Sequence, residues 1–208
     1  MEIKKLANNA LNFVINRVIE IVGVGIVIIG FLLLISLTSF SPNDPNFIFP
    51  ENTIIKNLLG FQGSFTADLF FQSLGLIALL IPFSLIIVGI NIVLNKKIFL
   101  IIESFFYTIL YSISGSLFFS LFYPNAFKLY INGNGGFIGK YLESIFLKST
   151  INLNSQIFYY ILILITLVLF LISIQFKTNS FYNYLKKLFN LLFKKKERNY
   201  TKENEVIN

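Results

Sequence analysis

Four stretches of the chain are long, apolar and uncharged: Ile21–Phe40 (20 residues), Leu69–Asn95 (27), Ser104–Phe127 (24) and Ser149–Phe176 (28). The second contains Pro82, and the apolar core of the fourth is Ile157–Phe176. A helix rises about 1.5 Å per residue, so about 20 residues cross the roughly 30 Å hydrocarbon layer of a bilayer. Four such helices could not all be buried inside a soluble fold of 208 residues. The pattern therefore predicts an all-α membrane protein with four transmembrane helices, at about 21–40, 69–94, 104–123 and 157–176. No small-residue cleavage site follows the first span, and its apolar run is too long for a signal peptide, so it is read as a retained anchor.

Helical spacing continues beside the spans. Leu6, Ala10, Phe13, Val14 and Val18 make residues 1–20 an amphipathic helix running into the first span. Between spans three and four, Ile138, Tyr141, Leu142, Ile145 and Phe146 form a stripe, with Lys140, Glu143 and Lys148 on or near the other face. After the fourth span, Phe181, Tyr184, Leu185, Leu188, Phe189 and Leu192 alternate with Lys186, Lys187 and Lys194–Lys196. Both read as interfacial amphipathic helices. The organisation expected is an N-terminal helix over 1–20, a four-span domain over 21–176, and a basic helix with a polar, disordered tail over 177–208.

Charge orients the bundle. Of 17 Lys and Arg residues, 13 fall in the N-terminal tail, the loop between spans two and three, and the C-terminal tail; the two remaining loops carry only Lys56, Lys128, Lys140 and Lys148. The positive-inside rule then puts both termini in the cytoplasm. The net charge of +7 comes mostly from the C-terminal tail and points to anionic lipid as its partner in preference to nucleic acid. Composition agrees, with 55% hydrophobic and only 13% charged residues, against about 25% charged in soluble domains.

Candidate chemistry is sparse. The chain has no Cys and no His, which removes thiolate sites and imidazole bases. Gly135-Gly136-Phe137-Ile138-Gly139-Lys140 looks superficially like a phosphate-binding loop, but Asn134 stands where the first Gly belongs and Tyr141 where a Ser or Thr hydroxyl must reach magnesium. Glu20, Glu103 and Asp68 lie at span ends, and nothing charged lies mid-span, where transporters and pores usually keep ionisable sites. No catalytic, cofactor or metal site is expected, and a small multi-pass transport or pore protein is the alternative reading. Ser112, Gly115 and Ser116 share a face of span three that suits close helix packing. Pro42 and Pro45 around Asn43-Asp44 read as a rigid turn. Ser64 or Thr66 is expected to cap span two, with Asp68 at the positive end of its dipole.

Ser39-Phe40-Ser41-Pro42-Asn43-Asp44-Pro45-Asn46-Phe47 closely resembles the S-[FY]-x-P-x-D-P-x-[FW] segment after the first span of FtsK-type DNA translocases. Asn57, Gly60, Gly63, Ala67 and Asp68 fall at the spacing of that family's N-x-x-G-x-x-G-A-x-x-A-D segment, with Ser64 where Ala is usual. Gly75 and Pro82 sit where the family has a Gly and a Pro, and Gly135-Gly136-Phe137-Ile138-Gly139 looks like its G-G-x-x-G segment. The resemblance covers residues from about 15 to 176. It implies a membrane anchor that targets a hexameric ATPase motor to the septum of the bacterial inner membrane, in cell division and chromosome segregation. Its expected partners are the lipid bilayer, other divisome proteins and further copies of itself. No Walker motif stands in these residues, so DNA would be met only through a motor that this sequence does not contain. Pro42, Asp44, Pro45, Gly60, Gly63, Asp68, Gly135, Gly136 and Gly139 are the candidate interaction or structural positions.

Overall fold

A computed structural model describes residues 2–45, 54–124, 132–149, 155–176 and Lys186. The chain divides into two compact units, Met1–Gln175 and Phe176–Asn208. The helix and tail expected over 177–208 lie outside the described residues, apart from Lys186, which is helical.

All regular structure among the described residues is helical. Helix α1 spans Glu2–Thr38, α2 Gly60–Leu74, a 3-10 segment Gly75–Leu80, α3 Ile81–Asn95, α4 Leu100–Phe122, α5 Gly136–Ser149 and α6 Ser155–Ser173. Four stretches are long and apolar enough to cross a membrane: Asn8–Thr38, Gly60–Asn95, Leu100–Phe122 and Gln156–Ser173. The protein is thus an all-α membrane protein with four spans.

Pairwise contacts order these elements. Gly23 of α1 faces Gly89 and Val93, while Gly30 faces Leu85 and Ile86, so α3 runs against α1. Ser36 meets Gly63 and Phe40 meets Phe71, so α2 packs against the end of α1. The helix is broken between α2 and α3, where Gly75 takes φ +74° and ψ −150°, a conformation essentially confined to glycine. Pro82 follows in the first turn of α3, where its missing N–H costs little. Helix α6 returns along α4: Ser114 Oγ lies 2.8 Å from Thr166 Oγ1, and the Tyr123 and Tyr159 hydroxyls are 2.9 Å apart. The end carrying Thr38, Gly75 and Phe122 is called the loop end below. The opposite end, the base, carries Glu20, Lys96 and Gln175, tied by Lys96 Nζ to Glu20 Oε1 at 3.0 Å and by Gln175 to the Leu100 carbonyl.

Two features depart from the sequence reading. Helix α2 begins at Gly60, nine residues before the span expected to start at 69, because Ser64, Ala67 and Asp68 are buried against the protein and so do not mark a loop in water. Ser64 and Thr66 accordingly cap nothing: Ser64 Oγ donates to the Pro45 carbonyl at 3.0 Å, and Thr66 Oγ1 donates to the Gln62 carbonyl one turn back.

Close helix contact rests on small residues, as in many membrane bundles. A Cβ on Gly23 would lie 2.9 Å from the Gly89 carbonyl oxygen, and one on Gly89 would lie 2.7 Å from that of Gly23. Gly25, two residues away, faces open space. Gly89→Val is therefore expected to lower stability in detergent by about 2 kcal/mol, the usual scale for forced overpacking, whereas Gly25→Ala should leave the thermal midpoint unchanged.

Candidate functional site

The polar residues singled out from the sequence gather at the loop end in two separate clasps. The first ties the segment after α1 to the start of α2. Pro42 occupies the second position of a turn closed by the Asp44 N–H donating to the Ser41 carbonyl at 3.1 Å. That turn leaves Pro42 exposed and directs Asp44 inward, where it is 3% exposed. The Asp44 carboxylate accepts the backbone N–H of Lys56 at 2.9 Å and of Asn57 at 2.8 Å. Asn57, itself buried, donates its side-chain amide to the Ser36 carbonyl at 2.9 Å and accepts the Leu59 N–H at 3.1 Å. Ser36 donates to the Gly63 carbonyl at 2.6 Å, and Ser39 Oγ accepts the Leu58 N–H at 3.1 Å.

This arrangement explains several candidate positions. Gly60 has φ +66°, which turns the chain into α2. A Cβ on Gly63 would lie 2.1 Å from Asn57 Oδ1, so only glycine lets α2 approach the clasp. Pro45 is fully buried, and its carbonyl receives the Ser64 hydroxyl. Asp68 needs a different account from the one its sequence position suggested. It is buried eight residues into α2, and a helix dipole acts only within the first turn, so the dipole is not what places it.

The second clasp closes the break at Gly75. At Gly75 helix α2 gives way to the 3-10 segment. The Leu74 carbonyl accepts the Ser116 hydroxyl of α4 at 2.8 Å, and the Leu76 N–H donates to the Asn134 carbonyl at 2.9 Å. Asn134 is fully buried and donates its side-chain amide to the Tyr123 carbonyl at the end of α4. Asn132 reaches the Gln72 carbonyl and side chain. Glycines allow this loop to enter so far. Cβ atoms on Gly135 and Gly139 would lie 2.6 and 2.3 Å from the Ser116 carbonyl oxygen, and one on Gly136, at φ +63°, would lie 2.6 Å from the Gly75 nitrogen. Helix α5 is held on by Ser120 donating to Glu143, while Phe137, Tyr141 and Ile145 face outward. The glycine run follows no strand among the described residues, and it packs on backbone; it is not arranged as a phosphate cradle.

Sequence reasoning named the glycines and Asp44 but missed Ser36, Asn57's amide, Ser116 and Asn134 as the residues that complete the two clasps. Their signal was weak: each is a small polar residue, and the sequence does not show which backbone group it meets.

The fold and these clasps define a polytopic helical membrane domain whose loop end is tied together by buried polar side chains. The family described as the 4TM region of DNA translocase FtsK/SpoIIIE matches residues 16–185, and the chain belongs to that family. It is a membrane region of such a translocase, not a catalytic one. No solved structure matches the chain.

Loss of the Asp44 carboxylate should loosen the first clasp without affecting insertion. Charge-assisted hydrogen bonds contribute about 1.5–3 kcal/mol each, so Asp44→Ala, which removes two, is expected to lower stability by about 3–6 kcal/mol and to speed amide exchange at Lys56 and Asn57. Unchanged exchange there would refute the clasp. Gly139→Val should separate α5 from α4, read as faster exchange across residues 136–149 with the helix content of α1 and α3 preserved.

Proposed function

We propose that this domain anchors an FtsK/SpoIIIE-type DNA-translocating motor in the bacterial inner membrane and brings it to the division septum, so that it serves cell division and chromosome segregation by position. The family match over 16–185 carries the reading. Both termini lie in the cytoplasm on this proposal, supported by the distribution of Lys and Arg, 13 against 4. The loop end then faces outward, where other divisome proteins would meet it.

Mid-span chemistry supports an anchor over a conducting path. Ser84 Oγ lies 3.0 Å from the Tyr111 hydroxyl and 3.1 Å from Ser173 Oγ. These polar groups satisfy one another between α3, α4 and α6, as membrane helices use them for adhesion. At the base, Asn91 points to Gln175 in the same way.

Two measurements test the proposal. The native chain has no Cys, so single cysteines report sidedness cleanly. Ile54→Cys, 90% exposed, is expected to react with an impermeant maleimide added outside the cell, and Lys97→Cys should not; the reverse result overturns the orientation. A fluorescent fusion of residues 1–208 is expected to collect at the division site, and uniform membrane fluorescence in dividing cells would remove the septal part.

A further inference from the structure

Helices α2 and α5 touch each other and share an inverted polarity. On α2 the residues packed inward include Gly63, Ser64 and Asp68, whereas Phe61, Phe65 and Leu69 are exposed along one stripe. On α5 Gly139 meets the Ser116 carbonyl and Glu143 meets Ser120, whereas Phe137, Tyr141 and Ile145 are exposed along another. Rings four residues apart stack within each stripe, Phe61 with Phe65 at 6.5 Å and Phe137 with Tyr141 at 6.3 Å. A surface helix in water turns its apolar stripe to the core and its polar face out. Both of these helices do the reverse.

Their level in the domain agrees. The backbone stays right-handed helical through Leu80 and Ile81, so the 3-10 segment and α3 run on as one rod. Its 6 and 15 residues rise about 35 Å at about 2.0 and 1.5 Å each, enough for the roughly 30 Å hydrocarbon layer without α2. The break at Gly75 frees α2 from that rod. One end of α2 meets Ser36, in the last turn of α1, and the other meets Ser116, in the last two turns of α4. Helix α5 meets α4 at Ser116 and Ser120. Both helices therefore lie beside the last turns of the spans, where hydrocarbon gives way to headgroups.

We propose that α2 and α5 form a collar in the bilayer leaflet at the loop end, with both stripes immersed in lipid. An interfacial helix buries its apolar face about 5–10 Å into the boundary of headgroups and acyl chains. Tyr141 suits that boundary, and Tyr123 and Tyr160, exposed at the same end, extend the aromatic belt onto α4 and α6. The stripes thus continue the lipid-facing surface of the bundle, with the acidic side chains Asp68 and Glu143 turned away from it. The inference rests on the four-span fold alone and holds whichever way the domain faces.

The whole chain in phospholipid vesicles, carrying a nitroxide on a single cysteine, tests the collar. Phe65→Cys and Tyr141→Cys replace exposed rings and leave the inward contacts of α2 and α5 in place. At each, collisions with oxygen, which concentrates in lipid, relative to a water-soluble nickel chelate are expected to exceed those at Ile54→Cys by about fivefold or more, as burial in the interface requires. Ratios equal to that at Ile54 would put the stripes in water and overturn the proposal. Exclusion of both reagents, the mark of a second copy packed on the stripes, would overturn it too. A photocrosslinking residue at position 65 or 141 in living cells is expected to attach to phospholipid. A discrete protein adduct in place of lipid would show a protein partner and overturn the proposal equally.

Discussion

Inside a bilayer every backbone N–H and C=O must find a partner within the protein, and the change from α-helix to 3-10 helix at Gly75 puts that rule under strain locally. The Leu76 N–H is bonded from outside the element, by the Asn134 carbonyl. The architecture of the loop end follows from bracing that junction. Ser116 supplies a donor from α4, and Asn134 supplies an acceptor from the loop before α5. For Asn134 to reach that far, the loop must pass within van der Waals contact of two backbones, which is why Gly135 and Gly139 face the Ser116 carbonyl and Gly136 the backbone of Leu74 and Gly75. Helix α5 is thereby laid against α4 and α2, with Glu143 fastened to Ser120. A family signature that reads as a flexible glycine loop is, physically, the plug of a discontinuous span.

The Asp44 clasp solves a related problem at the start of the same element. Helix α2 begins where backbone donors would otherwise face a poorly hydrated interface. A carboxylate that accepts two successive N–H groups fixes the chain before α2, and Asn57 fixes it to α1 through the Ser36 carbonyl. Both clasps join elements distant in sequence through short polar side chains. Removing one partner leaves the other buried and unsatisfied, a cost of about 1–3 kcal/mol.

Hydrophobic run length was enough to read the four spans, because it is a property of composition and needs no partners. Charge at the base was legible for the same reason: Glu20 and Lys96 end spans one and two in sequence and meet in space. The start of α2 was not legible. Gln62, Ser64, Thr66 and Asp68 look like residues in water, yet all four lie within α2, and Ser64 and Asp68 are buried. The Asp68 dipole reading failed with it, since that argument depends on where the helix begins. Gly75 and Pro82 could be seen as punctuation within a span, but their order matters in a way the sequence does not display: the glycine makes the break, and the proline only starts the helix that follows it.

Helix α1 is fastened at both ends of its apolar stretch. Between the Glu20–Lys96 contact and Thr38, α1 spans 19 residues, about 28 Å at 1.5 Å per residue, close to the roughly 30 Å hydrocarbon thickness. Helix α1 is thus held at a defined depth, by an ion pair at the base and by Ser36 and Ser39 at the loop end. It continues unbroken below that level as Glu2–Ile19, with Leu11, Phe13, Val14 and Val18 exposed. Rigid coupling through Gly23, Gly30 and Gly89 ties this projecting helix to α3, and α3 to the Gly75 plug. Helix-to-helix contacts therefore run from the loop end through α3 to the base.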